Sequence, residues 1–274
     1  MNTKKEIARF LSEDIGQGDV TASILTNKRI VAKIISRQEA IVAGSEFVKD
    51  IFSIRGCRVI ILRKDGTRTR PNQTVLKISG PARSILSCER TALNLLSRMS
   101  GIATLTSELV GKVKSVSKKT DVYSTRKTAP GLRFFDKEAV RIGGGKKHRV
   151  TLADMIMIKD NHIASEGSLV RLIQKAKKRS KKFEVEVENQ EDAVLAATLG
   201  VSIIMLDNFT PEKIRKTVSA LKKIGLRNKV RLEASGGIDA KNIKEFARAG
   251  VDMISVGKIT NSASAIDFSL KVQG

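Results

Sequence analysis

The pattern of hydrophobic and polar positions differs between the two halves of the chain. In the first half, short stretches rich in Ile and Val, among them RIVAKIIS and TVLKISG, are bounded by glycine or turn residues, which is typical of sheet strands. The segment that follows places Leu86, Leu93, Leu96 and Met99 at helical spacing. The first half is therefore expected to hold strands followed by a helix.

From about residue 120, short apolar runs alternate with helical patterns. The runs are DVYST, MIMIKD, FEVEVE, SIIMLD, VRLEAS and DMISVG. Strands that alternate with helices at this spacing indicate parallel βαβ units, in a barrel or a doubly wound sheet. Because only about 150 residues follow Asp121 and a full barrel takes about 250, we predict an incomplete α/β barrel.

Polar residues and a glycine stand at or near the C-terminal ends of the predicted strands. They are Arg126, Lys159, Glu186, Asp207, Ser235 and Gly257. Barrel enzymes build their active sites at that end. Between Arg126 and Lys159 lie nine lysines and arginines and only three acids, in predicted loops and at strand ends where a ligand can reach them.

Composition limits the class of protein. Of the 274 residues, 41% are hydrophobic, which is enough for a buried core, and no run reaches the roughly 18 apolar residues of a membrane span. The N-terminal sequence lacks an apolar signal core, and Cys57 and Cys88 lack metal-ligand spacing. A cytoplasmic protein with two reduced thiols is expected.

The net charge is unusually positive. The 51 lysines and arginines exceed the 28 acids and give a net charge of +23. A nucleic-acid site, small polyanionic substrates and a solvated basic surface all remain open. The solvated surface is favoured, because much of the charge falls on predicted helix faces and the chain has one tyrosine and no tryptophan for base stacking.

Both histidines lie in the segment RIGGGKKHRVTLADMIMIKDNH. Its three glycines lack the spacing of a phosphate loop, so a flexible turn and a ligand loop both remain open. His148 adjoins Arg149, and cationic neighbours are expected to lower its pKa and to favour a neutral imidazole that hydrogen-bonds a substrate. His162 is interpreted as a structural residue. Two histidines without a cysteine cluster argue against a zinc site.

Acidic residues form a second group. Glu184, Glu186 and Glu188 alternate along one predicted strand and are expected to share a face, while Asp207 ends the next strand. Acids at the ends of neighbouring strands suit a divalent cation or sugar hydroxyls. The ASGG sequence at Ser235 offers backbone N–H groups to an anion. We expect a divided site, with cations on one side and acids beside a phosphate-binding turn on the other.

Nine motifs, in order from about Glu13 to Leu270, resemble those of the quinolinate phosphoribosyltransferases, also called nicotinate-nucleotide pyrophosphorylases (carboxylating). They are EDIGQGDVT, GPARSILSCERTALNLLSRMSGIAT, STRKTAPGLR, RIGGGKKHR, MIKDNH, EVEVEN, MLDNF, EASGGI and DMISVGKIT. Members of this family join quinolinate to the ribose of phosphoribosyl pyrophosphate and release pyrophosphate and carbon dioxide. The product is nicotinate mononucleotide, for NAD biosynthesis. The resemblance implies a glycosyltransferase of the pentosyltransferase class.

The resemblance also implies a domain plan and an assembly. A mixed α/β N-terminal sandwich domain would cover residues 1–103, and an incomplete seven-stranded TIM-like α/β barrel would cover 104–261. The tail, about 262–274, would pack back on the first domain. Mg2+ is the implied cofactor. A homodimer that shares its active sites is the implied assembly, with a hexamer left open, and neither a membrane nor a specific nucleic acid is an implied partner.

Carried over motif by motif, the resemblance assigns residues to both substrates. The residues for the quinolinate carboxylates are Arg126, Lys127, His148, Arg149, Lys159 and, acting in trans, Arg90. The residues for phosphoribosyl pyrophosphate are Lys127, Glu186, Asp207, Ser235, Gly236, Gly237 and Gly257. Lys127, Glu186 and Asp207 are the implied catalytic residues. Glu186 and Asp207 would also hold the metal, through substrate or water.

Two positions depart from the family pattern. Many relatives have aspartate where this chain has Ser124, and histidine where it has Asn261. The alternatives are a relative on the same barrel associated with molybdenum transport, a transferase for another pyridine or purine-like acceptor, and a basic nucleic-acid-binding protein. The intact RKTAPGLR and IKDNH sequences favour the quinolinate enzyme.

Overall fold

The computed structural model describes residues 2–273. The helices are α1 Thr3–Ile15, α2 Val20–Ser23, α3 Ser45–Ile54, α4 Ala82–Lys114, α5 Arg133–Ile142, α6 Asp160–Glu166, α7 Leu169–Arg179, α8 Gln190–Thr198, α9 Pro211–Lys223, α10 Ile243–Arg248 and α11 Lys258–Asn261. The strands are β1 Arg29–Ser36, β2 Ala40–Ile41, β3 Arg58–Ile61, β4 Arg68–Thr69, β5 Thr74–Pro81, β6 Asp121–Tyr123, β7 Met157–Ile158, β8 Glu184–Val187, β9 Ile203–Asp207, β10 Arg231–Ser235, β11 Met253–Ser255 and β12 Phe268–Gln273. The chain divides into two compact units.

The first unit is an antiparallel sheet with helices. It comprises residues up to Leu105, Arg141–Gly143 and residues from Ala263 onward. The strand order is β12-β1-β5-β3, so the C-terminal strand pairs with the first strand of the chain. Along β1 the side chains alternate between the two faces, which buries Ala32 and Ile34 completely.

The second unit, Thr106–Val140 with Gly144–Ser262, is an incomplete α/β barrel, as expected. Its parallel strands have the order β6-β11-β10-β9-β8-β7. The described residues thus contribute six strands to the sheet rather than the seven expected. An isolated parallel bridge between Tyr123 and Lys146 lies beside β6 and replaces a further strand.

Short capped turns connect the barrel strands to their helices. The side chains of Ser168, Asn189 and Thr210 accept hydrogen bonds from backbone N–H groups in the first turns of α7, α8 and α9. Asn189 and Thr210 each start a helix within three residues of the end of a strand, whereas Ser168 separates α7 from the preceding helix α6. The turns therefore keep the C-terminal ends of the strands at one edge of the sheet, which is where the candidate site lies.

No helix within residues 2–273 is both long and apolar enough to cross a membrane. Cys57 and Cys88 are buried and free. Burial raises the pKa of the Cys88 thiol to about 12, so this thiol is unreactive at neutral pH.

Candidate active site

A cavity of about 410 Å3 lies at the C-terminal ends of the barrel strands. It is lined by Ser124, Thr125, Arg126, Lys127, His148, Arg149, Met157, Lys159, Glu186, Met205, Asp207, Glu233, Ser235 and Ser255. The barrel unit therefore brings most of the residues predicted from the sequence into one place. Gly236 and Gly237 follow Ser235 directly, and a Cβ on Gly257 would lie 3.3 Å from Lys127 Cδ. Arg90, on α4 in the first unit, is not among the lining residues.

Strand register explains why the acids and Ser235 lie side by side. Ser235 pairs with Asp207 between β10 and β9, and Glu186 pairs with Met205 between β9 and β8. Because every second side chain points to the same face of a strand, the last inward positions of adjacent parallel strands form one rim. The sequence predicted this rim correctly.

Two arginines form the cationic wall of the cavity. Arg126 Nε is buried and has no hydrogen-bond partner in the described structure. The guanidinium of Arg149 donates from Nη1 to the carbonyl oxygen of Met155 at 3.3 Å. Burial, together with the charge of Arg126, lowers the pKa of Arg149. Two guanidinium groups held close together, one of them incompletely bonded, are suited to an anion with more than one oxygen.

The acidic wall is partly neutralised from within the chain. The ammonium group of Lys159 forms an ion pair with the carboxylate of Glu186, so Lys159 connects the cationic and acidic walls. Asp207 Oδ2 accepts a hydrogen bond from Asn208 Nδ2 at 2.7 Å. Asp207 Oδ1 has no hydrogen-bond partner among the described residues, which leaves it available to a ligand.

The three alternating glutamates do not share one environment, contrary to the expectation. Glu184 is completely buried, Glu186 lines the cavity and Glu188 is exposed. The reason is that β8 ends at Val187, and the chain turns there into the cap of α8 at Asn189. The two-residue alternation therefore holds for Glu184 and Glu186 but not for Glu188.

The sequence predicted a lowered pKa for His148, and that prediction is wrong because the pKa is raised. His148 Nε2 lies 3.1 Å from Glu233 Oε2 and 3.3 Å from Glu184 Oε2. Burial alone would lower the pKa of His148, but the two glutamates outweigh burial and raise it to about 9. The two glutamates therefore favour the protonated imidazole over the neutral one. Its backbone is left-handed, with φ of 53°.

Glu233 and the burial of Glu184 were missed by the sequence analysis. Both lie two positions before a residue that was identified, since Glu184 precedes Glu186 and Glu233 precedes Ser235. The alternation of a strand places such pairs on one face. That spacing was the available signal. Burial raises the pKa of Glu184 to about 7, against the lowering effect of His148.

The turn after β10 has a left-handed backbone at two successive residues. Gly236 and Gly237 have φ of 93° and 63°, a region that favours glycine. A Cβ on Gly236 would lie 2.2 Å from Asn208 Oδ1, whereas a Cβ on Gly237 would meet nothing within 4 Å. Gly236 is therefore required both by its conformation and by close packing.

The triple glycine is a packed turn, which decides between the two alternatives left open. Gly144 has φ of 89°, and a Cβ on Gly145 would lie 2.8 Å from both Thr106 Cγ2 and Val140 Cγ1. None of the three glycines lines the cavity. His162 is structural, as interpreted, because its Nδ1 accepts the backbone N–H of Lys159 at 3.0 Å.

Comparison with known proteins gives matches over nearly the whole chain. The family model described as quinolinate phosphoribosyl transferase, N-terminal domain, matches residues 19–100, and the C-terminal domain model matches residues 102–271. An Archaeoglobus fulgidus protein named "Probable nicotinate-nucleotide pyrophosphorylase (carboxylating)" is 48% identical over 93% of this chain and 98% of its own length. The human nicotinate-nucleotide pyrophosphorylase (carboxylating) is 36% identical over 88% of this chain and 82% of its own length.

Solved structures agree with the sequence matches. The structure of the nicotinate-nucleotide pyrophosphorylase from Francisella tularensis has a TM-score of 0.92 and 40% identity, covering 99% of this chain and 96% of that chain. The two domain models together, and each of these relatives and this structure alone, span both units of the fold. The chain therefore belongs to the quinolinate phosphoribosyltransferase family.

Proposed function

We propose that this protein joins quinolinate to the ribose of phosphoribosyl pyrophosphate, with loss of pyrophosphate and carbon dioxide, to form nicotinate mononucleotide. Family membership supplies the reaction class. The observation that carries the proposal is one cavity in which Arg126, Arg149 and His148 present positive charge beside the carboxylates of Glu186 and Asp207. The cationic wall suits a dicarboxylate, and the acidic wall suits a ribose on which positive charge develops.

The cationic wall suits the two adjacent carboxylates of quinolinate. The buried Arg126 Nε has no hydrogen-bond partner among residues 2–273, so an anionic ligand would satisfy a group that is otherwise costly to bury. The planar fork of arginine matches the two oxygens of a carboxylate. Arg126 and Arg149 would fix the orientation of the pyridine ring, and Lys127 and Lys159 would add charge at the edge of the cavity.

In the first step the pyridine nitrogen bonds to C1 of the ribose while the bond from C1 to the pyrophosphate oxygen breaks. The bonding pair leaves with pyrophosphate, and positive charge develops on the ribose ring. Glu186 and Asp207, at the ends of β8 and β9, would stabilise that charge. The turn at Ser235, Gly236 and Gly237 would hold phosphate oxygens through backbone N–H groups.

In the second step the bond between ring carbon C2 and its carboxylate breaks and carbon dioxide leaves. The electron pair stays on C2, beside the positively charged ring nitrogen, and C2 then takes up a proton. Arg149 and His148 would hold the departing carboxylate in place and stabilise negative charge near it. No side-chain nucleophile is required.

Mg2+ fits the acidic wall and belongs to the proposal. Mg2+ prefers carboxylate and phosphate oxygens and is commonly held by one or two carboxylates together with substrate phosphates. Asp207 offers an oxygen without a partner, whereas Glu186 is already paired with Lys159. Asp207 would therefore be the principal protein ligand, directly or through water, with Glu186 facing the ribose hydroxyls. When bound, the metal would neutralise the phosphate charge of the substrate.

A homodimer in which Arg90 acts in trans also belongs to the proposal. Arg90 is exposed on α4 and has no side-chain partner among the described residues. An unpaired exposed arginine is available to a neighbouring subunit, and a two-fold axis would supply it to both sites equally.

An assay of substrate choice tests the proposed function. Purified protein with phosphoribosyl pyrophosphate and Mg2+ should release pyrophosphate with quinolinate and at least about 100-fold more slowly with nicotinate, because nicotinate would leave buried cations unpaired. Pyrophosphate release is followed with a coupled assay. Comparable rates with the two acids, or no release with quinolinate, would contradict the proposal.

A further inference from the structure

His148 is packed against two buried carboxylates inside the barrel. Glu184 comes from β8 and Glu233 from β10, and both are completely buried, while the side chain of His148 is 7% exposed. The contact between His148 Nε2 and Glu233 Oε2, at 3.1 Å, has hydrogen-bond geometry. Glu184 Oε2, at 3.3 Å from the same nitrogen, is within ion-pair distance only.

The two carboxylates need a positive charge, and His148 is the group in contact with both. Glu184 Oε1, Glu184 Oε2 and Glu233 Oε1 have no hydrogen-bond partner in the described structure. A buried carboxylate without a compensating charge or hydrogen bond is costly. With a neutral imidazole, one of the two glutamates would have to take up the proton to relieve the buried negative charge, whereas an imidazolium supplies a positive charge in contact with both.

The second ring nitrogen is left free for a ligand. His148 Nδ1 has no hydrogen-bond partner among the described residues. Other ionisable groups near the ring include Tyr123 from β6, whose ring meets the imidazole edge-on at 5.8 Å, and the adjacent Lys147 and Arg149. His148 also lines the cavity that holds Arg149 and Arg126. An imidazolium whose Nε2–H is used by Glu233 keeps an Nδ1–H to donate.

We propose that Glu184 and Glu233 are positioning residues that hold His148 as an imidazolium, so that its Nδ1–H donates to a carboxylate of the anionic substrate. The inference rests on the proposed function only for the identity of that anion. This proposal replaces the neutral imidazole expected from the sequence with a charged donor. A charged donor binds a carboxylate more tightly than a neutral donor does. The raised pKa of His148 agrees with this geometry.

A divalent cation is the competing occupant of the same cluster. One ligand atom from each of His148, Glu184 and Glu233 lies within 4.8 Å of the others, which is close enough for a shared metal ion. The proton is favoured because the charge of Arg149 acts on Glu184, and a guanidinium nearby opposes a second, doubly charged cation. Binding of a metal ion by His148, Glu184 and Glu233 would therefore contradict the proposal.

The charge on His148 can be measured in the free protein. The chain has only two histidines, so protein labelled with 15N in the imidazole rings gives two sets of ring signals, and His162→Gln assigns them. In chelator-treated protein at pH 7.5, both ring nitrogens of His148 should be protonated. In Glu184→Gln/Glu233→Gln, where burial acts without the carboxylates, His148 should be neutral at the same pH.

Two results of this measurement would overturn the proposal. One is a neutral His148 in the wild-type protein at pH 7.5. The other is a His148 signal that changes to a metal-bound form when one equivalent of Zn2+ is added, which would assign the cluster to a metal. Because the wild-type spectrum is decisive, the proposal does not depend on the double variant folding.

Kinetics separate positioning from a general structural role. Glu184→Gln/Glu233→Gln should raise the quinolinate KM at pH 7.5 by at least about tenfold and leave the phosphoribosyl pyrophosphate KM within about twofold, as expected for loss of one charged hydrogen bond. At pH 6 the quinolinate KM should move back toward the wild-type value, as His148 regains its proton. Glu188→Gln, an exposed change just after the same strand, should alter neither KM.

Equal losses for both substrates, or an unchanged quinolinate KM, would contradict the positioning role. The spectra and the assays also separate this inference from the proposed function. A neutral His148 in an active enzyme would refute the inference alone. A charged His148 in a protein with no transferase activity would refute the proposed function alone.

Discussion

Lys137 carries a positive charge that the fold has buried. Its side chain is 1% exposed, and its ammonium donates to Ser124 Oγ at 3.3 Å and to the carbonyl oxygen of Lys147. Within residues 2–273 no carboxylate forms an ion pair with it. Burial, with the charge of Arg133, lowers the pKa of Lys137 to about 8. Ser124 meets this ammonium with a hydroxyl, so the charge of Lys137 has no acidic partner at that position.

Lys137 makes a specific contribution to the pH dependence of stability. Its pKa in the folded state is below the ordinary 10.5, so the unfolded chain binds more protons between about pH 8 and pH 10.5. This term therefore increases the free energy of unfolding as the pH rises through that window. In Ser124→Asp the new carboxylate should pair with Lys137 and raise its pKa. The free energy of unfolding should then increase less with pH, and Tm at pH 7 should be higher. Thermal melts between pH 7 and pH 10 measure both effects.

A matched pair of lysine variants provides the control. Lys137→Met should also reduce the rise of the free energy of unfolding with pH. Lys118→Met, at an exposed position, should leave that rise as in the wild type. A lower Tm for Ser124→Asp at pH 7 would show that the added carboxylate does not reach Lys137.

Asp207 tests the division of the site between the two substrates. Asp207→Ala should reduce turnover at least about 100-fold, because the developing ribosyl charge and the proposed Mg2+ lose their carboxylate. Quinolinate affinity, measured by calorimetry without the second substrate, should stay within about threefold. Glu188→Ala removes an exposed acid nearby and should change neither quantity. Loss of quinolinate binding in Asp207→Ala would mean that the walls do not act separately.

At the scale of single residues, spacing predicted positions better than environments. The cavity does contain Arg126, Lys159, Glu186 and Asp207, because the ends of parallel strands meet at one edge. The charge of His148 could not be predicted, since its neighbours in sequence are cationic while its neighbours in space are acidic. Those neighbours come from β8 and β10, and their proximity depends on tertiary packing.

At the scale of elements, the turn after β10 combines a strained backbone with close packing. Gly236 and Gly237 both have positive φ, but only a side chain on Gly236 would collide with Asn208. Gly237→Ala should cost about 1 kcal/mol of unfolding free energy, from the backbone alone. Gly236→Ala should cost clearly more, and should also raise the KM for phosphoribosyl pyrophosphate because the turn must move.

Denaturant unfolding of the two alanine variants measures this difference. Equal free energies of unfolding would show that Asn208 moves aside without cost. A phosphoribosyl pyrophosphate KM that stays at the wild-type value in Gly236→Ala would remove the turn from the substrate site.

The alternation of strands and helices was the most predictable feature of the fold. The short apolar runs correctly predicted β8, β9, β10 and β11, because both faces of a parallel strand are covered. The number of strands was not predictable. The chain near Lys146, just after glycines that pack against α4 and α5, forms a single bridge rather than a strand.

At the scale of the whole molecule, much of the net charge of +23 is carried by solvated helix faces. In α7 the residues Lys175, Lys177 and Lys178 are exposed, while Leu169 and Ile173 on the opposite stripe are buried. This arrangement is typical of an amphipathic surface helix. It favours the solvated-surface interpretation over a dedicated nucleic-acid site.

The trans role of Arg90 is tested by mixing inactive variants. Arg90→Ala and Lys159→Ala should each be nearly inactive alone. If the protein is the proposed homodimer, subunit exchange makes half of the dimers hybrids, and each hybrid has one site with both residues intact. Activity should then recover to about a quarter of wild type. If mass spectrometry shows exchange and no activity returns, Arg90 does not act in trans.

The central claim is that the cavity directs transfer of the phosphoribosyl group to quinolinate with loss of its 2-carboxylate. The most direct measurement uses quinolinate labelled with 13C in either the 2- or the 3-carboxyl group, together with phosphoribosyl pyrophosphate and Mg2+. The predicted result is one labelled carbon dioxide per pyrophosphate from the 2-labelled acid, and label retained in the mononucleotide from the 3-labelled acid. Pyrophosphate release without carbon dioxide, or carbon dioxide from the 3-carboxyl group, would contradict the claim.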